Sequence, residues 1–253
     1  DGSGARVLNF APLLSGTVVP LVPVVRRLLE LAEEALGTAV EIEFAVTLDP
    51  RHGTPARLGF LQVRPMMVSD VFVEVTEADL TADDVVIASR RVLGNGERSD
   101  LADVVYLKPR AFEAPHTPVI ARELEAVNRR LSAESRPYLL IGFGRWGSSD
   151  PWLGVPVDWA QIDGARVIVE ASLPTMNPDL SQGSHFFHNL ISFHVLYLSV
   201  SHQDERGIEW EWLDAQPAAD ETGFVRHVRL ERPLCVRVDG RSGRGVVTDG
   251  LRG

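Results

Sequence analysis

The sequence predicts an α+β protein, and three observations carry that expectation. An amphipathic helix spans residues 24–36, a β-hairpin of alternating polarity follows it directly, and a series of short strand-like segments broken by a further helix fills the rest. The mixture in the second part reads as α+β or β/β/α.

In the first helix, Val24, Val25, Leu28, Leu29, Ala32 and Leu36 recur at the spacing that places apolar side chains on one stripe. Pro20 and Pro23 stand ahead of it and Gly37 just past its end, the usual positions for these two residue types. Val40-Glu41-Ile42-Glu43-Phe44-Ala45-Val46 then alternates apolar and acidic residues. Leu58-Gly59-Phe60-Leu61-Gln62-Val63-Arg64 alternates similarly, and the turn-rich Asp49-Pro50-Arg51-His52-Gly53 lies between them. Side chains two apart on a strand point the same way, so Glu41, Glu43, Gln62 and Arg64 are expected on one polar face.

After Pro65 the pattern changes to short segments at Val71-Phe72-Val73, Asp83-Asp84-Val85-Val86-Ile87 and Arg91-Val92-Leu93-Gly94-Asn95-Gly96. A boundary is expected between Pro65 and Asp84, with residues 1–75 in a first domain and 76–253 in a second. Thr117-Pro118 opens the next helix as cap and first-turn proline, with Ile120, Leu124, Val127 and Leu131 as its buried stripe. Strands are expected at Tyr138 to Ile141, Arg166 to Val169, Phe193 to Val200, Phe224 to Leu230 and Leu234 to Val238. His194 falls in the third of these as an ordinary strand residue, and Asp204-Glu205-Arg206 reads as a solvated turn.

Composition bounds the function classes. With 253 residues, 45% hydrophobic and 24% charged, the chain can bury a substantial core. A formal net charge of -10 argues against a nucleic-acid partner, whose phosphates call for clustered Lys and Arg. The single cysteine, Cys235, cannot form an internal disulfide, so a reducing, cytoplasmic setting is expected. No apolar run is long enough to span a bilayer and no secretory leader is visible, so no membrane partner is expected. The chain opens on Asp1-Gly2-Ser3-Gly4 without Met and reads as a piece of something longer.

The two hairpin words carry a family likeness. Val40-Glu41-Ile42-Glu43-Phe44 followed by Leu61-Gln62-Val63-Arg64-Pro65 resembles the closing strands of the nucleotide-binding domain in the phosphoenolpyruvate synthase/pyruvate phosphate dikinase family. There the pattern is acidic-Ile-Glu-aromatic, then Leu/Val-Gln-x-Arg-Pro. The resemblance covers about residues 6 to 66 and implies the tail of an ATP-grasp domain. It further implies ATP and Mg as ligands, with Glu43 and Gln62 holding the metal against the nucleotide and Arg64 meeting a phosphate. Magnesium does prefer oxygen donors, and a planar guanidinium suits phosphate oxygens. The glycine-rich phosphate loop and base pocket have no counterpart here, so the chain alone is not expected to turn over ATP.

The same family places a swivelling β/β/α phosphohistidine carrier next, with its histidine in a Gly-Gly-x-Thr-Ser-His context. Gly164-Ala165-Arg166-Val167-Ile168-Val169-Glu170 resembles the preceding strand, and Gly183-Ser184-His185 resembles the turn. Leu234-Cys235-Val236-Arg237-Val238-Asp239-Gly240-Arg241-Ser242-Gly243 resembles the closing strand, Val-x-Val-Asp-Gly-x-x-Gly. The resemblance implies that His185 takes a phosphoryl group from ATP and passes it to an acceptor the sequence does not identify. Ser181-Gln182-Gly183-Ser184, leading into a helix at His185, would cradle the phosphate with free N–H groups. Departures stand beside this likeness. Leu180-Ser181 replaces the double glycine, Gly183 the Thr, and Phe186-Phe187 the small residues after the histidine, while Leu173 to Asp179 is inserted. A second class therefore stays open: a non-catalytic carrier that docks on other domains of the same polypeptide, with Phe186 and Phe187 filling the phosphate's place.

Ile141-Gly142-Phe143-Gly144-Arg145-Trp146-Gly147 contains G-x-G-x-x-G after a strand. A dinucleotide fold would continue as a helix, yet Ser148-Ser149-Asp150-Pro151-Trp152-Leu153-Gly154-Val155-Pro156 breaks one, which rejects the NAD reading. Two readings remain: a loop packed by Trp146, Trp152 and Trp159, which is favoured, or a loop whose Arg145 and Asp150 line the carrier's cleft. His185 and His188, three apart, also suggest a metal pair with Glu170 or Asp179 as third ligand.

Overall fold

A computed structural model describes residues 15, 19–48, 56–65, 72–178, 190 and 193–250, and divides the chain into two compact units, residues 1–68 and 69–253. The protein is mixed α+β with more strand than helix.

The first unit holds α1 (Leu21–Leu36), β1 (Val40–Thr47) and β2 (Arg57–Pro65). Helix α1 ends where Gly37 adopts φ +68° and returns its N–H to the Glu33 carbonyl at 2.8 Å. That left-handed stop is cheap for a residue without a Cβ. β1 and β2 pair antiparallel, with Glu41 opposite Arg64, Glu43 opposite Gln62 and Phe44 opposite Phe60. The step from 62 to 60 on β2 against 43 to 44 on β1 leaves Leu61 as an extra residue, a β-bulge. The turn-rich segment 49–55 lies outside the described residues.

The second unit is built on one mixed sheet. In chain order its elements are α2 (Glu77–Leu80), β3 (Val85–Ser89), β4 (Val92–Leu93), β5 (Gly96–Leu107), α3 (Thr117–Ala133) and β6 (Tyr138–Phe143). There follow β7 (Arg145–Trp146), β8 (Gly154–Val155), β9 (Ala165–Ala171), β10 (Leu196–Val200), α4 (Trp210–Ala215), β11 (Ala218–Glu221), β12 (Val225–Asp239) and β13 (Arg244–Thr248). The sheet order is β3-β13-β12-β5-β6-β9-β10-β4, with β11 added on β12. β5, β6, β9 and β10 run parallel, whereas β12, β13 and β3 are antiparallel. β3 and β4 are separated only by Arg90-Arg91, so one stretch of chain joins both ends of the order. The Ser199 N–H donates to the Arg91 carbonyl at 2.8 Å and the Ser89 hydroxyl to the Ser199 carbonyl at 2.6 Å, curling the sheet on itself.

Parallel strands are covered on both faces, which explains why Tyr138 to Phe143 is buried throughout and reads as a continuous apolar run. Helix α3 turns Ile120, Leu124, Val127 and Leu131 inward, each nearly or fully excluded from solvent. Thr117 is its first helical residue, and its hydroxyl donates to the Ala114 carbonyl at 3.0 Å; it does not cap the helix as expected. Buried Asn128 fastens α3 to the sheet: its Oδ1 accepts from the Tyr138 hydroxyl at 2.9 Å and from the Gly164 N–H at 3.0 Å, while its Nδ2 donates to Asp163 at 2.8 Å.

Three further expectations are corrected. The third strand begins only at Leu196, because Phe193 and His194 form a turn in which His194 has φ +53°. The strands expected at 224–230 and 234–238 are one long strand, β12, whose register slips between Arg229 and Leu234 around Pro233. The three tryptophans do not form one packing cluster: Trp146 is buried, Trp152 is exposed, and Trp159 stacks on Phe193 with ring centroids 5.3 Å apart.

Candidate functional site

The hairpin register settles which way its polar residues face. Directly opposed residues of an antiparallel pair share a face, as do residues two apart, so Glu41, Glu43, Gln62 and Arg64 lie together. The bulge at Leu61 sits immediately beside the Glu43–Gln62 pair, the kind of position where a bulge re-aims a side chain. Arg64 Nε contacts Glu41 Oε1 at 2.9 Å, both side chains more than a third exposed. Such an exposed pair contributes about 0–1 kcal/mol. Arg64 can therefore exchange Glu41 for a phosphate at little cost. A carboxylate beside an amide oxygen fits magnesium, which commonly takes one or two protein oxygens and completes its shell with water and phosphates. Among the described residues, no group of three or more His, Cys, Asp or Glu gathers as a self-sufficient metal site.

A second constellation lies in the larger unit. The carboxyl ends of β6, β9 and β10 open into a cavity of about 650 Å³. Gly144 and Arg145 reach it from the loop after β6, Glu170 to Ser172 from β9, and Ser199 to Ser201 from β10; Arg91 enters from the β3–β4 joint. The crevice beyond the carboxyl ends of parallel strands is the usual ligand position in open α/β sheets.

Glycines fix the loop that carries Arg145. Gly144 has φ +72°, and a Cβ there would come within 2.7 Å of the Leu153 carbonyl. A Cβ on Gly142 would meet the Trp146 ring at 2.3 Å. These residues serve close packing, not a dinucleotide. β7 and β8 pair parallel, the Arg145 N–H donating to Leu153 O at 2.8 Å and the Gly144 N–H to Ala171 O at 3.0 Å. Trp146 packs the loop and Arg145 lines the cavity, while Asp150 makes the turn, accepting from the Trp152 N–H at 2.9 Å.

Glu170 is 5% exposed and tied at both oxygens. Oε1 accepts from the Trp146 N–H at 3.0 Å, and Oε2 accepts from the Tyr197 hydroxyl. Burial first, and the neighbouring Glu170 charge second, push the Tyr197 phenol well above its ordinary pKa, keeping it a donor. Ser172 Oγ accepts from the His202 N–H at 2.9 Å and lies 2.9 Å from His202 Nδ1.

His185, Ser184, His188, Phe186 and Phe187 lie outside the described residues, as does Asp179. The chain leaves the described region after Pro178, which lines the cavity, and Leu190 beyond them is buried. Sequence reasoning singled out Arg145 but missed Arg91, Ser172 and Ser199, which meet only through the strand order. Asp239 of the closing-strand motif is structural: its Oδ1 accepts from the Arg241 and Ser242 N–H groups at 3.0 and 3.3 Å, holding the turn into β13.

Among the described residues no helix is long and apolar enough to cross a membrane. Compared with known proteins, the chain matches no family model, no curated protein and no solved structure.

Proposed function

We propose that the chain is part of an ATP-dependent phosphotransferase of the phosphoenolpyruvate synthase/pyruvate phosphate dikinase type, with His185 as phosphoryl carrier in a swivelling β/β/α domain and the hairpin as the tail of an ATP-grasp domain. The observation that carries this reading is the register that brings Glu43, Gln62, Glu41 and Arg64 to one face beside a bulge. Glu43 and Gln62 hold magnesium, which when bound neutralises phosphate charge. Arg64 orients a phosphate oxygen after leaving Glu41. Phosphoryl transfer depends mainly on such positioning and charge neutralisation. The second unit is mixed α+β, one sheet with a parallel and an antiparallel half and helix α3 packed on it; the finer assignment to a β/β/α carrier rests on the sequence likeness. A second reading, a non-catalytic docking domain, is favoured by one sequence feature, bulky Phe186-Phe187 directly after the histidine.

Incubating the natural polypeptide containing this chain with magnesium and ATP labelled on its β-phosphate tests the reading. An acid-labile, base-stable adduct is expected, formed about tenfold more slowly in Glu43→Ala, equivalent to about 1.4 kcal/mol of barrier. Absence of any adduct under conditions where the protein is folded would favour the docking module.

A further inference from the structure

We propose that Ser172 and His202 form a nucleophile and its base at the cavity beyond β9 and β10, and that the pair takes an acyl group from a small polar carboxylic ester and passes it to water. Placement is the first argument. Ser172 directly follows β9, and His202 lies two residues beyond β10. The two strands are parallel neighbours with Val200 opposite Ala171, so both residues leave the sheet at the same carboxyl end. Ligands of α/β sheets usually lie at that end, and Ser172 lines the cavity of about 650 Å³ that opens there.

Hydrogen bonding is the second argument. The His202 main-chain N–H donates to Ser172 Oγ at 2.9 Å, and His202 Nδ1 lies 2.9 Å from the same oxygen. With one lone pair engaged by that N–H, the hydroxyl hydrogen is directed to Nδ1 of the tautomer that carries its proton on Nε2, and Oγ keeps a second lone pair for attack. The main chain holds this geometry, because the Ser172 N–H donates in turn to the Val200 carbonyl at 3.0 Å and pins the two strand ends together. A hydroxyl within hydrogen-bond reach of an imidazole is the arrangement nucleophilic acyl transfer requires. Asn177, Ser201 and Gln203 add amide and hydroxyl groups to the lining, which suits a polar acyl group, and the amide N–H groups are the donors on hand for a developing oxyanion. In the reaction, Ser172 Oγ attacks the ester carbonyl carbon as its proton passes to His202 Nδ1. The carbon–oxygen bond to the alcohol then breaks, and the alcohol leaves with that proton. Water attacks the acyl-serine, its proton passing to Nδ1 and from there to Ser172 Oγ as the carboxylic acid departs. Water is the one co-reactant, and nothing is oxidised or reduced.

The test is labelling of the natural polypeptide containing this chain with a fluorophosphonate, which reacts at serine nucleophiles with release of fluoride, followed by peptide mapping. Label on Ser172 is expected, absent in Ser172→Ala and formed about a hundredfold more slowly in His202→Gln. His202 is exposed, so its replacement leaves the core intact, and the main-chain N–H at that position still donates to Oγ in the variant. Slower labelling there reports the base and not the turn. The dependence of the labelling rate on pH should also flatten in His202→Gln, which loss of a purely structural histidine would not cause, and hydrolysis of p-nitrophenyl acetate should fall in parallel. Absence of label on Ser172, or a labelling rate and pH profile unchanged in His202→Gln, overturns the proposal. Neither Glu43 nor His185 takes part in this reaction, so its outcome is separate from that of the phosphoryl relay.

Discussion

Asp103 shows how a buried carboxylate is held in this fold. It is 1% exposed on β5, where Oδ1 meets His227 Nε2 at 2.7 Å and Arg229 Nε at 3.2 Å, and Oδ2 accepts from Arg136 at 2.6–2.8 Å. Arg130 lies 3.2 Å from the other ring nitrogen of His227 and has no acceptor to offer, so it must donate to Nδ1. His227 is thus the neutral tautomer that carries its proton on Nε2 and donates to Asp103. Burial alone would raise the Asp103 pKa, but hydrogen bonds from His227, Arg136 and Arg229 together outweigh it and hold the carboxyl below the ordinary value. Because the folded pKa is the lower one, this group stabilises the fold above its unfolded pKa of about 3.9 and loses that contribution as pH falls through the range below it. Urea unfolding of Asp103→Asn should accordingly show a shallower loss of stability below about pH 4 than the unaltered chain. Asp103→Ala should cost about 1–3 kcal/mol near neutrality, because it strands the buried His227 donor, whereas Arg136 and Arg229 are partly exposed and can turn to water. At Gly144, a substitution by Ala combines a left-handed φ with a backbone clash; about 1–3 kcal/mol of destabilisation is expected in the same measurement.

At the scale of elements, helix α3 was readable because Ile120, Leu124, Val127 and Leu131 keep a helical period and all four face the core. Leu124→Ala should lower stability by about 2–5 kcal/mol, measured by chemical denaturation. β6 and β9 were readable for a related reason, as both are short apolar runs buried on both faces. β5, the strand between the parallel and antiparallel halves, was not legible. Arg98, Asp100 and Asp103 interrupt its alternation, and Asp103 is tolerated inside only because Arg136, Arg229 and His227 arrive from elsewhere in the chain. β12 looked like two strands because Pro233 removes a ladder donor at the point where its register slips. His194 fell within an apolar stretch that suggested a strand, but its left-handed φ is set by the turn leading into β10.

Across the whole molecule, two polar constellations occupy different units, the hairpin face in residues 1–68 and the cavity lined by Arg91 and Arg145 in residues 69–253. The hairpin face was legible in full, since alternation and antiparallel pairing fix it locally. Of the cavity, Arg145 and Glu170 were singled out in the sequence, but Arg91, Ser172 and Ser199 were not, because they are far apart in sequence and meet through the order β6-β9-β10-β4. The relay itself rests on His185. Its most direct test is peptide mapping, under alkaline conditions, of the natural polypeptide after phosphorylation by β-labelled ATP. The phosphate is expected on the peptide bearing His185 and should vanish in His185→Ala; label recovered on another residue, or undiminished in that variant, would contradict the assignment of His185 as carrier.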